Sequence, residues 1–284
     1  LLYLDDNKYI KAEKLLNPLT ASYRYSSEAH YYLGYIHDKN ENFSEAIHNY
    51  KKVLGGSNFL AATSRVFNLL IQTSSLANAS NHINMLRSKV PELSKDLFEL
   101  ESNILINIKK PYIALEILAR GLDTHPHDVG LLYTRAMLAE QQGDFSLAES
   151  DLLNIISRDP DNAHALNALG YLMLLHTDRL DEASQLIKRA YILKPESPAI
   201  IDSMGWALFK RGKIKEALDF LKQAMAKMPD PEIAAHLGEV YWALGDEAQA
   251  IEAWRKGLKN NPDALQIMST MKRLGISLQE RNDN

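Results

Sequence analysis

Two consecutive stretches of the chain, PAIIDSMGWALFKRGKIKEALDFLKQAMAKMPD at 198–230 and PEIAAHLGEVYWALGDEAQAIEAWRKGLKNNPD at 231–263, share one residue skeleton. Counted from the first Pro of each as position 1, an apolar residue stands at 7 (Met204, Leu237), Gly at 8 (Gly205, Gly238) and Leu208 or Tyr241 at 11. Ala follows at 20 (Ala217, Ala250), a bulky residue at 24 (Leu221, Trp254), a small one at 27 (Ala224, Gly257) and Pro at 32 (Pro229, Pro262). A period of this size means a stacked array of helix-turn-helix units, because one such unit cannot bury its apolar face alone.

Each position has a steric reason. Small residues at 8, 20 and 27 let two antiparallel helices approach, and bulky residues at 7, 11 and 24 fill the space between them. Gly212 and Gly245 end the first helices, and Pro229 and Pro262 stop the second. This is the tetratricopeptide pattern, and it predicts an all-α, right-handed superhelical solenoid.

Read outward, the skeleton divides residues 1–276 into repeats at about 1–26 (truncated), 27–59, 60–94, 95–128, 129–162, 163–197, 198–230 and 231–262. A capping helix is expected at 263–276 and a polar tail at 277–284. Ala12, Leu16 and Leu19 fit positions 20, 24 and 27 of the first unit, so the start of its first helix is expected to be missing and the chain to be a piece of a longer protein. Leu1, Leu2 and Leu4 would then form a raw apolar edge. The unit at 60–94 diverges most: Phe67 stands at position 8, where it is expected to push the helices apart, and 73–80 is rich in Ser and Asn.

The net charge of -4 argues against nucleic acid or an anionic membrane as the main partner, and zero cysteines exclude disulfides and thiol chemistry. No run of about 18 apolar residues exists to insert into a membrane. No phosphate-cradling loop, zinc-protease motif or nucleophile elbow occurs. His125 and His127 flank a proline at a repeat boundary without a third ligand nearby, so no metal and no cofactor is expected. The carboxylates read as solvated single acids on helix exteriors, and the chain is expected not to be an enzyme.

Positions 2, 5, 9 and 12 of each first helix share one face and should line a concave groove. The aromatic, apolar and acidic residues there are Tyr31, Tyr35, Tyr133, Met137, Tyr171, Leu174, Asp202, Trp206, Phe209, Glu239 and Trp242. Such a lining suits an apolar or amphipathic segment of a protein partner whose basic residues face Asp202 and Glu239. Two readings stand for Trp206 and Trp242: groove wall, or packing between neighbouring repeats. The Lys, Asn and Arg with which the chaperone-binding subfamily grips a terminal carboxylate are nearly absent from the set.

The segments at 202–212, DSMGWALFKRG, and 229–245, PDPEIAAHLGEVYWALG, go beyond the general repeat pattern. They resemble the C-terminal region of proteobacterial tetratricopeptide lipoproteins of the outer membrane. Members of that family include an adaptor that binds a periplasmic carboxyl-terminal processing protease and presents cell-wall hydrolases to it. The resemblance implies a non-enzymatic scaffold on the periplasmic side of the outer membrane, with that protease and its substrates as partners. The alternatives are a cytoplasmic assembly scaffold and a noncatalytic repeat arm of a larger enzyme.

Overall fold

The computed structural model describes residues 8–259 and 261–276; Leu1, Leu2, Leu4 and the tail 277–284 lie outside the described residues. Sixteen α-helices and no strand occur among them. The helices are α1 (Tyr9–Leu16), α2 (Ser26–Lys39), α3 (Phe43–Tyr50), α4 (Phe59–Thr73), α5 (Leu76–Lys89), α6 (Ser94–Asn107), α7 (Pro111–Thr124) and α8 (Val129–Gln141). They continue as α9 (Phe145–Arg158), α10 (Ala163–His176), α11 (Leu180–Leu193), α12 (Pro198–Lys210), α13 (Ile214–Lys227), α14 (Pro231–Ala243), α15 (Glu247–Leu258) and α16 (Leu265–Arg273). Contacts divide the chain into two compact units, Leu1–Leu131 and Leu132–Asn284.

In the second unit the skeleton acts as the sequence predicts. An added Cβ at Gly238 would lie 2.1 Å from the Trp254 indole nitrogen, and one at Gly205 would lie 2.7 Å from Leu221 Cγ. Position 8 is therefore small because the bulky group at position 24 occupies the space where a side chain would begin. Trp254 is fully buried among Leu237, Tyr241, Ala250 and Ile267. Ile267 and Met271 of α16 close the end of this core, which is the role expected of a cap.

In the first unit α2 and α3 meet the same way, with the Tyr50 ring against Gly34 and a core of Ala46, Val53, Ala62, Val66 and Leu69. Phe67 is fully buried, so the divergent pair takes its ring into the core. The Ser- and Asn-rich stretch is a tight helix connection: Ser75 caps α5 by accepting from Asn78 N at 3.2 Å, and Asn78 Nδ2 donates to Ser74 Oγ at 2.6 Å. Leu19 departs from its expected helical position, lying exposed in the 3-10 turn Asn17–Ala21 that follows α1. The preceding Pro18 denies that turn a backbone donor and ends the α-helix.

Five of the turns between paired helices place one residue in the left-handed region. In the second unit it is Gly at 143, 212 and 245, but in the first unit the corresponding turns hold Glu41 and Lys109, both at φ 58°. A side chain there carries a steric cost that glycine avoids.

Candidate partner-binding groove

In the first unit, Tyr31, Tyr35 and Asp38 of α2 face Ser64, Arg65 and Asn68 of α4 across a pocket of about 700 Å³. These α2 residues fall on one side because they are spaced three or four apart. Arg65 donates to Asp38 through Nε at 2.5 Å and Nη2 at 2.7 Å, a bidentate pair whose guanidinium side chain stays 42% exposed. The hydrogen bond to Asp38 raises the Arg65 pKa against the opposing effect of burial. The Tyr31 ring leans on Tyr50, and the Lys39 ammonium lies 5.4 Å from the Tyr35 ring centroid. Burial, then the charge of Asp38, pushes the Tyr50 phenol well above its ordinary range, so it stays a neutral wall. The pocket thus offers half-exposed aromatic surface beside a charged fork.

The same repeat positions in the second unit are arranged differently. Asp202 on α12 accepts from His236 Nδ1 on α14 with both oxygens, at 3.0 and 2.9 Å. Tyr171 on α10 donates its hydroxyl to Glu232 Oε1 at 2.6 Å, and that hydroxyl lies 3.3 Å from His236 Nε2. Trp206 stacks on His236 at 4.0 Å with 16° between planes, and Phe209 stacks on Trp206 at 5.1 Å. Burial acts to lower the His236 pKa, but the charge and hydrogen bond of Asp202, helped by Glu232 and Glu239, overcome it and raise the value. The ring thus has the Asp202 carboxylate on Nδ1 and the Tyr171 hydroxyl beside Nε2. Burial first, and Glu232 second, push the Tyr171 phenol far above its ordinary range.

The predicted groove residues accordingly have different settings. Tyr31 and Tyr35 line the open pocket. Leu174, Asp202, Trp206 and Glu239 are buried, at 4, 4, 5 and 8% exposure. Tyr133, Met137, Tyr171, Phe209 and Trp242 are half-buried, and the Trp242 ring lies 6.2 Å from that of Trp254. Of the space beside Tyr171 and Asp202, about 210 Å³ remains open, lined also by Asn167, Ser203 and Glu232. Asp202 and Glu239 do not await a partner's basic residues: Asp202 is engaged by His236, and Glu239 accepts from Arg273 Nη2 at 2.5 Å.

The reading of carboxylates as solvated singles fails at four places. Glu101, Asp151, Asp202 and Glu239 are buried and pair with Arg87, Arg135, His236 and Arg273. An ionised acid is not left in a core without a counter-charge, so each burial required a base on an adjoining helix. Position by position the sequence missed Arg65, His236 and Arg273. One signal was present: Asp202 to His236 and Glu239 to Arg273 are both 34 residues apart, one residue more than the repeat that starts at 198, so an acid on one first helix meets a base on the next helix of the same rank. Among the described residues no three His, Cys, Asp or Glu side chains gather as a metal-ligand set. No described helix is long and apolar enough to cross a membrane.

A family model described as tetratricopeptide repeat matches residues 1–59 and 133–198, and a second with the same description matches 208–272. The chain belongs to the tetratricopeptide repeat family. A TPR repeat-containing protein of Pseudomonas aeruginosa is 40% identical over 211 residues, covering 74% of this chain and 36% of that protein. A BBSome complex member of Bos taurus is 31% identical over 138 residues, covering 48% of this chain and 26% of its own length. The chain thus spans about a third or less of these relatives. A tetratricopeptide repeat protein from Parabacteroides merdae has the same fold at a TM-score of 0.62 and 15% identity, over 87% of this chain and 97% of that one. A thermophilic TPR protein of Thermus thermophilus gives 0.54 and 22%, over 62% and 96%. The fold class is that of a tetratricopeptide solenoid, and such repeats serve as protein-interaction scaffolds.

Proposed function

We propose that this TPR chain is a non-enzymatic adaptor that holds a segment of a partner protein in the α2–α4 pocket of its first unit. The observation that carries the reading is the roughly 700 Å³ pocket, where Tyr31 and Tyr35 remain accessible beside the Asp38–Arg65 fork. Aromatic rings supply contact area at low entropic cost, and the bidentate pair fixes the orientation of polar groups. The resemblance of residues 202–212 and 229–245 to outer-membrane lipoproteins supports a periplasmic setting, in which the partners are a processing protease and the cell-wall hydrolases delivered to it. The Pseudomonas aeruginosa relative supports a bacterial setting. Bringing enzyme and substrate together on one scaffold raises their effective concentration without any chemistry by the scaffold.

The test is affinity capture from a bacterial cell-envelope extract with this chain and with Tyr35→Ala as baits, after circular dichroism has shown both to be folded. Recovery of a processing protease or a wall hydrolase that Tyr35→Ala fails to hold is the expected result. Recovery of cytosolic proteins alone, or of one identical set by both baits, overturns the adaptor reading.

A further inference from the structure

A second surface of the second unit lies away from the His236 network. Met204 and Leu208 on α12 are two residues on from Asp202 and Trp206, which is about half a turn of helix, so they face the other way. With Ser184 and Lys188 of α11 and Arg211 they line a pocket of about 450 Å³. One repeat later Leu237 and Tyr241 of α14, with Lys222 and Met225 of α13 and Ala253 and Lys256 of α15, line another of about 530 Å³. The two pockets are built from equivalent positions: Met204 matches Leu237, Leu208 matches Tyr241, and Lys188 matches Lys222. Helix α13 contributes to both, through Glu216 to the first and Lys222 to the second.

The charges of this strip do not cancel. Its three carboxylates are already engaged, Asp181 by Arg211, Glu216 by Lys213 and Glu252 by Lys256. Lys188, Lys222 and Lys259 have no carboxylate partner among the described residues; the Lys222 ammonium rests 5.5 Å from the Tyr241 ring centroid. An apolar floor of Met204, Leu208, Met225, Leu237 and Tyr241 under unneutralised ammonium groups matches a ligand that is apolar on one side and anionic on the other. A helix laid into a groove between helices presents its side chains in that way, with an apolar stripe inward and charges at the rim.

We propose that this paired strip docks an acidic amphipathic helix of a partner protein, independently of the tyrosine-lined pocket of the first unit. Lys188 and Lys222 are the charges that select it, and Met204, Leu208, Leu237 and Tyr241 form the floor that receives its apolar edge. The repeat makes the site bipartite, so one helix spanning both pockets gains from each.

The experiment is a fluorescence-anisotropy titration of the whole chain with a labelled helical peptide carrying Leu along one face and Glu along the other. One control peptide has Gln in place of Glu, and another has Ser in place of Leu. The Leu/Glu peptide should bind saturably, and both controls should bind about tenfold or more weakly. The double variant Lys188→Glu with Lys222→Glu should lose about tenfold in affinity, Lys188→Gln with Lys222→Gln less, and Tyr35→Ala nothing. All four lysine substitutions are on exposed positions, and unchanged tryptophan emission confirms that the second unit stays folded. Absence of binding, equal binding of the Ser peptide, indifference to both lysine double variants, or loss on Tyr35→Ala would each overturn the proposal.

Discussion

The first-helix faces of the two units use equivalent repeat positions for opposite ends. On α2, Tyr31, Tyr35 and Asp38 border open space, and their charged partner Arg65 is partly in solvent. On α12, Asp202 and Trp206 are sealed against His236, and the neighbouring Glu239 is sealed by Arg273. The lesson is that a groove position in a repeat protein is an opportunity for binding that the next repeat can close. What decides is the residue one period further on, here His236 and Arg273, which fills the face with a counter-charge and a flat ring.

The comparison is broken most forcefully at Asp202. Asp202→Ala strips His236 of its buried hydrogen-bonded carboxylate partner and should cost the second unit about 3–5 kcal/mol, as removal of one partner of a buried ion pair does. Asp38→Ala, at the open site, should cost less, since the Arg65 side chain it leaves behind is 42% exposed and can be solvated. Urea titration followed by tryptophan emission reads the first variant directly, because Trp206, Trp242 and Trp254 all belong to the second unit. Equal costs for the two variants would show that the two faces do not differ as described.

Trp206→Ala should follow closely, at about 3–5 kcal/mol for truncating a buried ring, and should unfold the second unit before it weakens any partner. Tyr35→Ala, by contrast, should leave the melting curve nearly in place. A Trp206→Ala protein of unaltered stability would return that ring to the groove wall.

Acid sharpens the contrast through two histidines. In the first unit burial, with Lys51 and Lys89 contributing, pushes His82 down to about 4. A base so depressed takes up its proton more readily when unfolded, so the first unit loses stability as pH falls below about 6.5, by roughly 2 kcal/mol at about pH 5. His236 is shifted the other way, so its contribution is complete below the unfolded value and is lost as pH rises through the folded one. Acidification from neutral pH should therefore weaken the first unit and strengthen the second. Circular dichroism and tryptophan emission, followed together in urea, should separate on lowering the pH, and His82→Phe should remove the acid loss from the first unit.

The smallest effect lies in the turns. Lys109→Gly relieves a left-handed residue and should stabilise the first unit by about 1 kcal/mol, while its mirror experiment, Gly212→Lys, should destabilise the second by about as much. Thermal denaturation of the two variants checks both signs.

Most of the helix scaffold was legible in the sequence, because its determinants are short-range and repeat. Gly238 against Trp254, Gly205 against Leu221 and the left-handed turns at 143, 212 and 245 all follow from position within one unit. In the divergent unit Phe67 lies in the core, and Ser75 caps the second helix, a role the sequence reading did not assign. The candidate site was legible only in part. Tyr31 and Tyr35 were found as lining, but Arg65 escaped notice because it lies one residue beyond the chosen face.

What the sequence determined by itself was the period, the helices and the small-against-bulky contacts, since each depends on residues a fixed few turns apart on rigid elements. What the tertiary structure decided was which acids and rings of the first-helix face remain open. That outcome depends on side chains reaching between helices a whole repeat apart: Tyr171 reaches Glu232, and His236 places itself between Asp202 and Trp206. The free energy of burying such a charge is set by the geometry of its partner, which no periodicity specifies.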